Sequence, residues 1–269
     1  MPKPDSYTHA MDPESVALVT AGASGIGRCV AEKLAAHGCR VHVCDIDQNA
    51  IDEFLLANPD ASATRADVSS AADVDRIFAD LEGKYGRLDV LVNNAGVAGP
   101  TAAVEDIDPK DWDRTLAIDL NSVFYCARKA VPLLKKNGGS MINMSSTAGV
   151  HGCPGRAPYV AAKWAIIGLT KTLAMELGES GIRVNAICPG SVEGERIDRV
   201  VARDAKRQGK SKDEIRDIYQ RQTSMRTFIE ADDVANMVMF LASNTGRFVS
   251  GQTLGVDGHT ETLGHWAED

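Results

Sequence analysis

Tyr159 and Lys163 stand four residues apart, a spacing that puts both side chains on one face of a helix. A tyrosine at its usual pKa of about 10 is a poor base near neutrality. A lysine cation beside it favours the phenolate and lowers that value. The phenol can then exchange a proton with an alcohol or carbonyl oxygen. Ser146, thirteen residues before Tyr159, can hydrogen-bond the same oxygen. A Tyr-x-x-x-Lys match alone is common on exposed helices. The serine and a glycine-rich turn far upstream set this one apart.

That turn is Thr20-Ala21-Gly22-Ala23-Ser24-Gly25-Ile26-Gly27, between an apolar β-branched run at 16–20 and a helical pattern. Glycines there let the backbone approach a pyrophosphate, and Gly22, Ser24, Gly25, Ile26 and Gly27 form the candidate cradle. Asp45 closes the next strand eighteen residues after Gly27, where an acid can bind the adenosine ribose. Asp45 also suits a helix N-cap, but with the turn in place the ribose role is favoured. A carboxylate there repels the 2′-phosphate of NADP. Ser24 and Ile46 bring no cation and Asp47 adds a negative charge, so the expected cofactor is NAD. Its oxidised nicotinamide would also help to lower the pKa of Tyr159.

The elements that must position these groups alternate. Strands are expected at 16–20, 40–44, 63–65, 88–92, 140–144, 184–187 and 252–256. Helices follow Cys29–Ala35, Ala50–Ala57 and Val74–Leu81, and others span about 158–177 and 232–243. Trp112, Leu116, Leu120, Val123, Phe124, Ala127, Val131 and Leu134 predict a single helix over about 109–136. The alternation forces a parallel sheet covered on both faces, a doubly wound α/β single domain. Residues 1–13 are expected to be a disordered tail, with 14–269 as one domain.

Composition is that of an ordinary soluble chain: 269 residues, 44% hydrophobic, 25% charged, net charge −8. No apolar run reaches the roughly 18 residues of a membrane span, and the first fourteen residues lack a signal-peptide core. Six cysteines without a CxxC pair or Cys/His cluster argue against a metal site and fit a reducing cytoplasm. The negative charge disfavours nucleic acid and membrane as partners. Cys153 lies near the candidate site, but nothing adjacent would activate its thiol.

Seven stretches together carry a resemblance: TAGASGIG at 20–27, DV at 67–68, NNAG at 93–96, SS at 145–146, YVAAK at 159–163, RVNAICPG at 183–190 and SGQTLGVDG at 250–258. Over residues 14–258 the chain resembles the short, single-domain branch of the short-chain dehydrogenase/reductase family. The resemblance implies a Rossmann-type fold and hydride transfer between a nicotinamide and a secondary alcohol or ketone. It also implies a homotetramer or homodimer, with the long helices at 110–136 and 158–177 as its faces. Tyr159 would be the acid/base, Lys163 would bind the nicotinamide ribose, and Ser146 would orient substrate. Asp67 and Val68 would contact adenine, Asn94, Ala95 and Gly96 would line the cofactor, and Pro189, Gly190 and Val192 would hold the nicotinamide.

Four positions depart from the family pattern. Ala21 stands where glycine is usual, so it must keep φ negative or shift the turn. Asp119 stands where an asparagine completes the catalytic group, with Asn121 on another side of the helix; it is expected to be structurally accommodated. Gly194 replaces a threonine, and His259 replaces a second glycine. Residues 194–226 would form a helical substrate lid and carry ten Lys/Arg against six acids. That reads either as a solvated hairpin or as a surface that attracts an anionic group. Substrate is thus expected to be an anionic molecule or a polyol, with His151 and Arg156 beside Ser146 and Tyr159 in the pocket. The competing readings are an NAD-binding sensor without turnover, and an epimerase or dehydratase.

Overall fold

Val16–Thr20 forms β1, and its alternate residues feed two different cores: Ala17 and Val19 point one way, Val16 and Leu18 the other. This period-two split is what a strand covered on both faces requires. The computed structural model describes residues 11–264; most of the expected tail and the last five residues lie outside it. Met11 already packs against the first core.

β1 is followed by α1 (Gly25–Ala36), β2 (Arg40–Asp45), α2 (Gln48–Ala57), β3 (Ser62–Arg65), α3 (Ala71–Tyr85) and β4 (Val90–Asn93). Then come α4 (Pro109–Leu116), α5 (Ser122–Leu134), β5 (Gly139–Met144), α6 (Ala157–Leu177) and β6 (Ile182–Pro189). α7 (Glu195–Gln208), α8 (Lys212–Arg221), α9 (Ala231–Ala242) and β7 (Thr253–Val256) complete the chain. The sheet order is β3-β2-β1-β4-β5-β6-β7 with every pair parallel. The Rossmann-type single domain is therefore as the motifs implied. The strand order reverses between β1 and β4, so the loops after them part and leave a crevice at their carboxyl ends.

One core, with Val30, Leu34, Phe54, Val234 and Val238, packs α1, α2 and α9 on one face of the sheet. The other, with Ile77, Leu81, Cys126, Leu134 and Leu177, packs α3, α5 and α6 on the opposite face. Each fully buried leucine stabilises by roughly 1.5–3 kcal/mol relative to exposure.

The single helix expected over 109–136 is corrected. Residues 117–121 form a π turn between α4 and α5. Asp119 in this turn is buried, as are Thr115, Ser122 and Val123 around it in the chain. Phe124, assigned to the inner face by periodicity, is 52% exposed. Trp164 and Met175 of α6 are also exposed.

The polar stretch 194–226 folds as the expected helical pair. Gly209 turns the chain between α7 and α8 at φ +66°, and Ser211 with Glu214 forms a capping box on α8. Val201, Ala205 and Ile215 make a small core of their own.

Candidate active site

The glycine-rich turn runs from β1 into α1 across the crevice. Thr20 Oγ1 accepts from the backbone N–H of Asn94 at 2.9 Å and of Ala95 at 3.0 Å. Asn94 Nδ2 donates back to the carbonyls of Thr20 and Ala21, which ties the loops after β1 and β4 together. Ser24 is the N-cap of α1 but its side chain makes no capping bond, and the first turn holds no acid. No side-chain cap and no acid of the first turn compete for the N-terminal end of α1 and its positive dipole, a setting suited to pyrophosphate.

Ala21 corrects an expectation: it sits at φ +48°, in the left-handed region, rather than keeping φ negative. An L side chain there costs about 1–2 kcal/mol, partly offset by the extra entropy glycine would lose on folding. Ala21→Gly is therefore expected to stabilise by about 0.5–1 kcal/mol, which should raise Tm by about 2–3 °C in thermal unfolding. A fall in Tm would show that the methyl packs better than its backbone is strained.

Asp45 is buried. Its Oδ2 accepts from Ala23 N at 3.3 Å and its Oδ1 from Asp47 N at 3.2 Å. The N-cap of α2 is Asp47, whose side chain accepts from Asn49 N and Ala50 N. The capping alternative for Asp45 is thus taken by its neighbour, which leaves Asp45 spanning from the turn to the end of β2. Sequence reasoning missed Arg65, the register partner of Asp45 on β3. Arg65 Nε donates to Ile46 O at 3.2 Å. Only strand pairing brings these residues together, so no local signal could have found it.

Asp67 is exposed and its Oδ1 accepts from the N–H and hydroxyl of Ser69, while Val68 is buried in the core beneath it. Pro189 ends β6, and a Cβ on Gly190 would lie 3.0 Å from Asp257 Cα, so that turn presses on the end of β7. Val192 bridges to Ile229. Gly194 has φ +128° and ψ −179°, a conformation essentially confined to glycine, so the family's threonine would not fit this backbone. His259, at φ +62°, ties the end of the chain to the turn after α8: its ring Nδ1 hydrogen-bonds Ser224 Oγ and its carbonyl accepts from Ser224 N.

Ser146, Tyr159, Lys163 and Asp119 converge at the carboxyl end of β5. Ser146 caps a short 3₁₀ turn there through Ala148 N at 3.2 Å. Lys163 is buried on α6, and its Nζ donates to Met144 O at 2.9 Å. Nζ lies 5.6 Å from the centroid of the Tyr159 ring, and the Arg156 guanidinium 4.8 Å from it. Burial pushes the Tyr159 phenol up. The cations of Lys163 and Arg196 and a hydrogen bond with Ser146 outweigh that, so its pKa lies below the usual tyrosine value. Asp119 is fully buried; its Oδ1 accepts from Val97 N at 2.6 Å, and its Oδ2 has no partner among the described residues. Burial raises the Asp119 carboxyl above its ordinary range, against the opposing pull of Lys163 and the Val97 N–H. A Cβ on Gly96 would lie 3.1 Å from Asp119 Oδ1 and 3.4 Å from Lys163 Nζ, so only glycine lets that loop cross the site closely.

Among the described residues His151 makes its hydrogen bonds through its backbone, to Thr147 O and from Trp164 Nε1. Burial pushes the Cys153 thiol above its ordinary value, which keeps it a poor nucleophile.

A family profile described as enoyl-(acyl carrier protein) reductase matches residues 20–259. The chain is 36% identical over 248 residues to the 3-oxoacyl-[acyl-carrier-protein] reductase FabG of Staphylococcus aureus, covering 90% of this chain and 96% of that one. It is 38% identical over 264 residues, 94% of each chain, to the trans-4-hydroxycyclohexanecarboxylate dehydrogenase of Sinomonas cyclohexanicum. A crystal structure of actinorhodin polyketide ketoreductase with NADPH superposes with a TM-score of 0.88 at 32% identity, covering 93% of this chain and 98% of that one. With its parallel sheet, its turn and its Ser-Tyr-Lys group, this chain belongs to the short-chain dehydrogenase/reductase family of oxidoreductases.

Proposed function

We propose that the protein interconverts a secondary alcohol and a ketone with NAD, with Tyr159 as acid and base. One observation carries the reading: Ser146, Tyr159 and Lys163 converge beside the glycine-rich turn, and the cations around Tyr159 hold its phenol below the ordinary range. The cradle fits a dinucleotide, because Gly22 and Gly27 leave room that a Cβ would fill against Val19 O and Ala21 O. The bound nicotinamide supplies the hydride acceptor, or the donor in reduction.

The chain's own residues handle the proton. Ser146 Oγ and the Tyr159 hydroxyl hold the substrate oxygen. As the alcohol carbon gives up its hydride, the Tyr159 phenolate takes the hydroxyl proton; in reduction the phenol returns it to the new alkoxide. Lys163, anchored on Met144 O, keeps a positive charge by the ring and favours the phenolate.

NAD is favoured over NADP by Asp45, whose carboxylate would face a 2′-phosphate, although the ketoreductase relative was solved with NADPH. Ketone reduction followed by cofactor fluorescence, with NADH and NADPH in parallel, tests this. NADH should give kcat/KM about 10²-fold higher, and Asp45→Ser should narrow the gap by about tenfold or more, the scale of one or two charge interactions. Equal use of both cofactors would overturn the assignment to NAD, and binding without turnover of any ketone would overturn the reaction.

Asp119 fills the place of the family's asparagine through its backbone-facing oxygen, and its charge raises the Tyr159 pKa. Asp119→Asn keeps an acceptor for Val97 N and removes that charge. Activity should stay within about tenfold, with the ascending limb of the kcat/KM profile moved to lower pH. A loss beyond about hundredfold would show that the carboxylate itself is needed.

A further inference from the structure

A cavity of about 560 Å³ opens between the loop at 96–101, α4 and α7, with Gly96 at the edge shared with the catalytic group. Its volume suits a small organic molecule. Gly99, at φ +67°, lets the loop press onto Thr115 of α4, where an added Cβ would lie 3.1 Å from Thr115 Oγ1. Four guanidinium groups line the space: Arg114 from α4 and Arg196, Arg199 and Arg203 from α7.

Three other cations of the lid are neutralised by acids. Arg216 takes Glu193 and Asp198, Arg221 takes Asp217, and Arg207 takes Asp204. Among the described residues, Arg199 is the one cavity arginine that pairs with an acid, Glu195 at 3.1 Å. Arg196 donates to Gly96 O at 3.2 Å and Arg203 to Gly99 O at 3.4 Å. These bonds fix the guanidinium planes against neutral carbonyls, so the charge is not cancelled, and each group has further N–H donors. Asp111 lines the same cavity and is the one acid among its described lining residues. Counting Glu195 and Asp111 against four arginines, the pocket keeps an excess of two positive charges.

We infer that this cavity binds a carboxylate group of the substrate, so that the molecule acted on is a hydroxy or oxo acid held by its acid end on Arg114, Arg199 and Arg203. Guanidinium forks match a carboxylate bidentately, and the low net excess suits one or two carboxylates. Half of the lid's net positive charge, that of Arg196, Arg199 and Arg203 less Glu195, thus has a defined address. This inference rests on the proposed dehydrogenase reading for what happens at the other end of the molecule, but binding can be tested without turnover.

A panel of linear and ring oxo acids, each against its own carboxamide, is titrated calorimetrically into the enzyme saturated with NAD, the oxidised cofactor, which cannot reduce them. At least one acid should bind tenfold or more tighter than its amide, with a Kd that rises with salt. In the Arg199→Gln/Arg203→Gln double variant, and separately in Arg114→Gln, that preference should fall at least fivefold, while the melting temperature and the Kd of NADH stay close to wild type. The arginines are on exposed turns of two different helices, so a variant that fails to fold leaves the other to decide. Acids and amides binding alike throughout the panel, an unchanged preference in both variants, or weakening of NADH instead of the acid would each overturn the proposal. Turnover of the same pairs is read separately. Ketone reduction without acid preference sinks the anion site alone, and acid preference without any reduction sinks the dehydrogenase reading alone.

Discussion

Tyr159→Phe should lower kcat/KM for alcohol oxidation by about 10³-fold or more, within the range that general acid–base groups supply. The ring keeps its place between the Arg156 guanidinium at 4.8 Å and Lys163 Nζ at 5.6 Å, so packing around it is preserved. NADH affinity, followed by fluorescence, should change by no more than a few-fold, and Tm should hold. The separation matters because the phenol is assigned to the proton and not to holding the fold. Weaker cofactor binding in step with lost activity would instead make the hydroxyl a binding group. Retained activity would move the proton transfer to another residue.

Gly27→Ala should cost nearly as much by a different route. An added Cβ would lie 2.1 Å from Ala21 O and 2.5 Å from Asn94 Nδ2, and the nearer obstacle is backbone that has nowhere to go. The turn must open, breaking the Asn94 bonds to Thr20 O and Ala21 O that hold the crevice closed. NADH affinity should fall by at least about 10²-fold, and stability by about 1–3 kcal/mol, the usual cost of overpacking. Gly25→Ala is the matched contrast: Gly25 has φ +53° but nothing within 4 Å of an added Cβ. It should cost only about 1–2 kcal/mol of backbone strain. Fluorescence titration and thermal unfolding of both variants measure the difference. If Gly25→Ala lost as much cofactor affinity as Gly27→Ala, the close approach at Gly27 would not be what the turn depends on.

What was legible in the sequence was whatever depends on near neighbours in the chain. The β1 run, the turn and the start of α1 lie within about twenty residues, and their order alone placed the cradle. Tyr159 and Lys163 are one helical turn apart, so their pairing followed from spacing. Ser146 required only that a strand end near the start of α6. Three features were hidden for physical reasons. The π turn at 117–121 adds a residue to one turn while apolar side chains still recur every three or four positions, so the pattern read as one unbroken helix. That insertion turned Asp119 into the site and Phe124 out of the core. The positive φ of Ala21 went against the residue's own preference, and is held by tertiary bonds from Asn94 rather than by local propensity. Arg65 beside Asp45, and Arg114 facing α7, depend on strand register and helix packing across long separations. The lid's excess of positive charge was countable from composition; which arginines were left over after pairing was not.

The most direct test of the account is the pH dependence of kcat/KM for NAD-linked alcohol oxidation in the wild type and Lys163→Met. The wild-type rate should rise with pH to a plateau through a single ionisation below the usual tyrosine value of about 10. Removing the lysine charge should move that limb upward, since Lys163 is the largest of the influences that lower the Tyr159 pKa. A rate that does not respond to pH in this range, or a limb that stays in place without Lys163, would contradict the assignment of Tyr159 as the base.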